Sequence, residues 1–200
     1  MIRVAGSSHC PCDNLSGIMS DTCDKLLREA TQARREDRHA DAKRILVEAV
    51  DLCHKSQSRS DLAKALTDLG QIERDLHNNK AALEHYEEAL AIYRAEGDPL
   101  RIAHTVRHVG DIQRNEGHRE LAEPCYREAL NIYRCQERTP PLDLANAIRG
   151  LAILTFDAGE AEEAKLLWRE ARDLYAGVNV AAGVAESTRR LALLERGRES

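Results

Sequence analysis

One nine-residue stretch constrains this sequence most, because it returns at a spacing of about forty residues. Tyr86-Glu-Glu-Ala-Leu-Ala-Ile-Tyr-Arg94 is followed by Tyr126-Arg-Glu-Ala-Leu-Asn-Ile-Tyr-Arg134, and a third copy starts at Trp168. A weaker copy runs from Leu46 to Cys53. Apolar residues within the copies follow the helical period, and recurrence at such a spacing is typical of solenoids built from stacked units. The sequence therefore predicts an all-α chain of repeats.

A second helical stretch precedes each copy, so that each repeat contains two helices. These first helices align as 62–72, 102–112, 144–154 and 184–194, and 24–35 is a degenerate first member. Gly, Pro or Asn residues separate the stretches, as expected at turns. The predicted organisation is a repeat domain over residues 20–200, with units at about 23–58, 61–97, 101–138 and 143–178 and a capping helix at 182–197.

The residues at the predicted helix crossings follow one order. In one unit they are Gly110, Ala122, Tyr126 and Ala129, at the eighth, twentieth, twenty-fourth and twenty-seventh positions counted from Ala103. This order resembles the tetratricopeptide repeat, and the spacing of 40 to 42 residues resembles the longer repeat of kinesin light chains and related bacterial proteins. The resemblance implies a right-handed superhelical α-solenoid of helix-turn-helix units whose first helices line a concave groove. It also implies a non-catalytic module for protein–protein interaction.

Composition and charge exclude several classes of protein. The chain has 42% hydrophobic and only 4% aromatic residues, and its formal net charge of -5 disfavours a nucleic-acid partner. No apolar run approaches the roughly 18 residues that a membrane span needs. Residues 1–20 lack the apolar core of a secretory signal, so we expect a cytoplasmic protein. Phosphate-cradling loops, nucleophile elbows and zinc-protease motifs are absent from the sequence, so we expect neither catalysis nor a cofactor.

The first 19 residues contain turn formers and no helical period, which predicts a disordered tail. Within it, His9-Cys10-Pro11-Cys12-Asp13 has no second cysteine pair nearby to complete a zinc site, so we do not expect a metal there. The six cysteines are spaced without regard to the repeat, and we expect reduced thiols. Met19 is an alternative to Met1 as the translation start.

The binding surface is predicted on the first helices, at the positions opposite their buried stripe. These positions change from copy to copy, as when Lys64 is replaced by His104 and then by Asn146. Many of them are basic, whereas the second helices carry many glutamates. A basic groove favours an acidic peptide or protein segment as partner, because Arg can bind a carboxylate through two hydrogen bonds. The candidate binding residues are Lys64, Asp68, Gln71, His104, Arg107, His108, Asp111, Arg114, Asn146, Arg149, Arg189 and Arg190.

Other interpretations of the same residues stay open. The arginines could form an ordinary solvated face, some of them paired four residues along with acids such as Asp111 or Asp68. His104, His108 and Asp111 share one helical face and could ligate a metal, but two arginines beside them would repel the cation. For function, the alternatives are a regulator that senses a small anion or signalling peptide, and a scaffold that self-assembles through its ends.

Overall fold

The computed structural model describes residues 11–196, with side chains at Met19 and from Asp21 onward. Over this range the chain forms nine helices and no strand. None of these helices is both long enough and apolar enough to cross a membrane. The helices are α1 (Pro11–Arg35), α2 (His39–Ser56), α3 (Arg59–Asp75), α4 (Asn79–Glu96), α5 (Pro99–Asn115), α6 (Arg119–Cys135), α7 (Pro141–Asp157), α8 (Ala161–Gly177) and α9 (Ala181–Arg196).

Helix α5 shows how local sequence determines the helix ends. The side chain of Asp98 caps it by accepting a hydrogen bond from the backbone N–H of Arg101 at 3.1 Å, and Pro99 occupies the first turn, where its missing N–H costs nothing. After α5, Gly117 adopts a positive φ of 82°, which glycine accepts without steric cost. Gly117 and Pro99 agree with the expectation that Gly, Pro or Asn residues separate the helical stretches. Before α4 the left-handed residue is His77, and the two asparagines that follow it do not adopt a positive φ.

The N-terminal boundary differs from the prediction. Helix α1 begins at Pro11, so residues 11–19 have a helical backbone, whereas a disordered tail was expected over residues 1–19. Residues 1–10 lie outside the described residues, and the cysteine-containing run at 9–13 lies outside the residues whose side chains are described. The division into a tail and a repeat domain therefore stays a prediction.

The chain divides into two compact units, residues 1–92 and 93–200, with the boundary inside α4. In the first unit α1 packs against α2 and α3, α2 against α3, and α3 against α4. In the second unit α5 to α9 pack consecutively, and α5 also contacts α7. Contacts limited to near neighbours along the chain are those of a repeat protein, so the predicted all-α repeat architecture is confirmed.

Tyr126 lies at the most crowded point of the second unit's core. Its fully buried ring is placed between Gly110 on α5 and Gly150 on α7. A Cβ on Gly110 would lie 3.3 Å from the ring, and a Cβ on Gly150 would overlap it. The helices can therefore approach only because two glycines leave room for the ring. The repeat alignment predicts Gly110 at a crossing but points to Ala152, not Gly150, on the next first helix.

Replacing Gly150 with alanine should destabilise the protein by about 1–3 kcal/mol, because the new methyl group would force a buried ring and two packed helices apart. The measurement is the free energy of unfolding in urea, followed by circular dichroism.

The matched control is Gly177→Ala at the end of α8. No atom lies within 4 Å of the position that its Cβ would take, and its φ is not positive. We expect unchanged or slightly increased stability there, since alanine lowers the entropy of the unfolded chain. Equal destabilisation by both substitutions would contradict the packing argument.

Candidate functional site

Along one side of the second unit, polar contacts join the first helices α5, α7 and α9. His104 Nδ1 lies 3.7 Å from Asp143 Oδ1, which connects α5 with α7. Arg149 Nε lies 2.6 Å from Glu186 Oε2, which connects α7 with α9. We call this set the polar row, and it comprises His104, Arg107, His108, Asp111, Asp143, Asn146, Arg149, Glu186 and Arg190 together with the hydroxyl groups of Tyr126 and Tyr175.

The centre of the polar row is a buried ion pair on α5. Arg107, which is 7% exposed, donates from Nη1 to Asp111 Oδ2 at 2.8 Å. The other carboxylate oxygen of Asp111 accepts a hydrogen bond from the Tyr126 hydroxyl at 2.8 Å. The ring that fills the core thus also orients the carboxylate that neutralises Arg107.

The pKa of Asp111 reflects two opposing effects. Burial alone would raise this pKa, but the hydrogen bond from His108 and the positive charge of Arg107 outweigh burial and hold it well below its usual value. Conversely, burial raises the pKa of Tyr126, and the neighbouring Asp111 carboxylate raises it further. Asp111 is therefore ionised and Tyr126 is a neutral hydrogen-bond donor at neutral pH.

Replacing Asp111 with asparagine should destabilise the protein by about 3 kcal/mol at pH 7, because it leaves the buried Arg107 without a counter-charge. The depressed pKa of Asp111 stabilises the fold above its unfolded-state value of 3.8, and this contribution is lost as the pH falls toward the folded-state value. The difference between wild type and variant should accordingly shrink below about pH 4. Thermal melts at several pH values measure this difference.

Asp173→Asn provides a control for the Asp111 substitution. Asp173 also pairs with an arginine, but its side chain is 68% exposed, so its loss should leave the melting temperature nearly unchanged. A pH-independent difference for Asp111→Asn would show that the destabilisation does not come from the carboxylate charge.

A histidine pair extends the polar row from Arg107 to α7. Arg107 Nη2 lies 2.8 Å from His108 Nε2, and because a guanidinium can only donate, this nitrogen accepts. His104 Nε2 lies 3.2 Å from the same nitrogen, whose single lone pair already accepts from Arg107. On its other side His104 Nδ1 lies 3.7 Å from Asp143, and the proximity of this imidazole lowers the pKa of that carboxyl group. The proton positions follow from the hydrogen-bond network.

The α7–α9 part of the polar row has different contacts. Arg149 binds Glu186 with both Nε and Nη2, at 2.6 and 3.0 Å, and this hydrogen bonding raises the pKa of Arg149. The Tyr175 hydroxyl donates to Asn146 Oδ1 at 2.8 Å. Arg190 instead lies over aromatic rings, with its guanidinium carbon 5.0 Å from the centroid of Phe156, an arrangement that favours a cation.

The structure separates the candidate arginines of the second unit into two groups. Arg107 and Arg149 are held in ion pairs within the fold. Arg107 therefore follows the alternative interpretation, in which an arginine pairs with the acid four residues along the helix. Its burial contradicts the prediction that its side chain faces the groove. Arg114 and Arg189 have no ion pair among the described residues. His108 is also buried, at 3% exposure, and contributes to the frame of the site.

The candidates of the first unit lie on α3. Lys64 Nζ is 3.1 Å from Asp61 Oδ1, so a carboxylate already compensates its charge. Asp68 and Gln71 line a cavity of about 100 Å³, to which α1 contributes Arg34. That volume has room for only a small polar group or a few water molecules.

Four members of the polar row, Asp143, Glu186, Tyr126 and Tyr175, were not among the candidate binding residues. Asp143 follows the Pro140-Pro141 turn and gives no repeat signal, so nothing in the local sequence marks it. Tyr126 and Tyr175 do recur in the repeat, but that recurrence indicated packing alone. Their hydroxyl groups could have indicated a place in the polar row, because a buried tyrosine usually needs a polar partner.

Metal binding has no structural support in the described part of the chain. No group of three or more His, Cys, Asp or Glu side chains there is arranged to hold an ion. His104 and His108 instead bind each other, with ring centroids 4.7 Å apart.

The second helices of this unit carry a separate series of ion pairs, between exposed arginines and glutamates of successive second helices. Four of these pairs are Arg94–Glu128, Arg119–Glu160, Arg127–Glu163 and Arg134–Glu170. In this unit, arginines therefore compensate much of the negative charge that the glutamates of the second helices carry. Exposed pairs of this kind contribute little to stability.

Comparison with known families identifies the repeat. The family model described as tetratricopeptide repeat matches residues 21–95 and 61–135, which together cover more than half of the chain. The chain belongs to the tetratricopeptide repeat family, as the order of small and aromatic residues predicted. Proteins of this family generally bind proteins or peptides and are generally not catalysts. No curated protein sequence matches the chain.

Solved structures show the same fold at low sequence identity. BtubC (BKLC) from P. vanneervenii is 21% identical, with a TM-score of 0.68 over 86% of this chain and 68% of its own. Aspartyl phosphate phosphatase F from Bacillus subtilis is 13% identical, with a TM-score of 0.78 over 90% of this chain and 46% of its own. A signal transduction ATPase with a tetratricopeptide repeat sensor from Pyrococcus horikoshii is 18% identical, with a TM-score of 0.75 over 88% and 27%. This chain spans less than half the length of the last two.

Proposed function

We propose that this chain is a non-catalytic interaction module that binds an acidic peptide or protein segment on the α5–α7–α9 side of its second unit. The observation that supports this proposal is positive charge beside the polar row for which the fold supplies no carboxylate. The expected partner is unchanged, but the binding role moves from the ion-paired Arg107 and Arg149 to Arg114, Arg189 and Arg190.

The charges on this side do not balance. Two carboxylates of the polar row already have an arginine partner, in the pairs Asp111–Arg107 and Glu186–Arg149, and the third, Asp143, lies 3.7 Å from His104. Three further arginines, Arg114, Arg189 and Arg190, have no carboxylate partner among the described residues. Ligand carboxylates would supply the missing charge, and such charge complementarity favours both association rate and specificity.

The unpaired arginines lie close to the polar row. Burial raises the pKa of Glu186, but the bound Arg149 and the charges of Arg190 and Arg189 lower it overall. Arg114 likewise contributes to the low pKa of Asp111. A ligand on this side would therefore meet the fixed hydrogen bonds of the polar row together with the field of the unpaired arginines.

Asn146 adds a neutral donor to this surface. Its side-chain oxygen is occupied by the Tyr175 hydroxyl, so its orientation is set, while its amide nitrogen makes no hydrogen bond within the described residues. An oriented N–H suits a peptide carbonyl or a carboxylate, both of which only accept. Donors therefore predominate on this surface, as an acceptor-rich ligand requires.

The test uses charge reversal at two unpaired arginines, Arg114→Glu with Arg189→Glu. Two labelled peptides of equal length, one rich in glutamate and the other with glutamine in its place, are titrated by fluorescence anisotropy. Wild type should bind the glutamate peptide more tightly, and the double variant should lose about tenfold or more in affinity for it, because ligand and surface then repel. Added salt should weaken the wild-type binding.

The control is Arg138→Glu with Arg172→Glu, which changes the net charge by the same amount. Arg138 is exposed, and the half-buried Arg172 lies on α8 and pairs with Asp173. The affinity of this control variant should stay close to that of wild type. Equal binding of both peptides by wild type, or equal losses in both double variants, would contradict a role for the α5–α7–α9 side.

A further inference from the structure

Two cysteines meet in the interior of the first unit. Cys23 on α1 and Cys53 on α2 are 30 residues apart in sequence, and their Sγ atoms lie 2.8 Å apart. Each side chain is 1% exposed, and both are reduced thiols in this structure. The contact lies between the two helices of one hairpin of the first unit.

The same positions in later repeats have a different pair of residues. A shift of 40 residues aligns Cys53 with Tyr93 and then Tyr133, and the same shift aligns Cys23 with alanines. The later repeats thus have one large and one small residue where this repeat has two cysteines of equal, medium size. Both positions differ together in this repeat, and the change places two sulfur atoms in contact.

We propose that Cys23 and Cys53 form a reversible disulfide that fastens α1 to α2 under oxidising conditions. An S–S bond is about 2.05 Å long, so the sulfur atoms need to approach by less than 1 Å from their present separation. Such a bond would close a loop across the hairpin and restrict the unfolded chain more than the folded one.

The reaction is a thiol–disulfide exchange with a low-molecular-weight disulfide. One cysteine thiolate attacks a sulfur of that disulfide and releases one small thiolate, leaving a mixed disulfide on the protein. The second cysteine then displaces the other small thiol. In total two cysteine thiols lose two electrons and two protons, and one small disulfide gains them to become two thiols. Reducing agents reverse the sequence.

Burial controls the rate of this exchange. It raises the pKa of both thiols, which keeps them protonated, and it shields them from the small disulfide. The neighbours of Cys23 on α1 at 21, 22, 24 and 25 are all exposed, so a local opening of this part of α1 would release Cys23 first. We therefore expect the disulfide to form slowly, and to form faster under conditions that open α1.

The other described cysteines offer no comparable pair. Cys125 Sγ donates to the backbone carbonyl of Leu121 at 3.2 Å, and Cys135 is exposed at the end of α6. They provide internal standards for thiol reactivity in the same molecule.

The experiment incubates the full chain with glutathione disulfide at pH 8, with and without a urea concentration below the unfolding transition. Free thiols are then alkylated, and peptide mapping identifies the linked cysteines. We expect Cys23–Cys53 to be the main disulfide, forming faster in urea. The oxidised protein should melt about 5–10 °C higher than the reduced protein, and dithiothreitol should reverse the shift.

Matched variants assign the effect. Cys23→Ser and Cys53→Ser should each abolish the difference in melting temperature between oxidised and reduced protein, whereas Cys135→Ser should retain it. Persistence of Cys23 and Cys53 as free thiols in urea, while Cys135 forms a mixed disulfide, would overturn the proposal. So would a Cys23–Cys53 disulfide that left the melting temperature unchanged or lowered it.

Discussion

The structure of the second unit depends on the close packing of Tyr126 between two glycines. Because Gly110 and Gly150 have no side chains, α5 and α7 can both approach the ring, and the ring fills the space between them. This position also brings the hydroxyl group 2.8 Å from Asp111. One buried side chain therefore sets the helix spacing and holds the carboxylate at the centre of the polar row, so packing and site geometry cannot vary independently.

Burial also decides which charges are available to a ligand. A buried arginine such as Arg107 must have a counter-charge within the fold, because removing a lone charge from water costs several kcal/mol. Once Arg107 and Arg149 are paired with Asp111 and Glu186, they act as a rigid frame. In the proposed binding mode, recognition falls to cations that the fold does not need, such as the exposed Arg189. A count of basic residues along the first helices misses this distinction.

The sequence predicted the architecture well because packing repeats. Tyr86 and Tyr126 recur since each repeat must fill the same space, and the cap at Asp98 follows from local chemistry alone. The site was predicted only in part, because its contacts join helices that are far apart in sequence. The pairing of Arg149 with Glu186 depends on how α7 and α9 approach each other, which helical spacing does not specify. The role of Asp143 has the same origin.

The repeats also explain why positive charge remains unpaired near α9. In the unit of α5 and α6, the Tyr126 hydroxyl and Asp111 form a donor–acceptor pair. One repeat later the aligned residues are Trp168 and Ile153, so the hydroxyl and the carboxylate are lost together. The arginine that lies there, Arg190, stacks on rings, with its guanidinium carbon 5.9 Å from the centroid of Trp168. Stacking stabilises a cation without neutralising it, so Arg190 keeps its positive charge, whereas Arg107 on α5 is neutralised by Asp111.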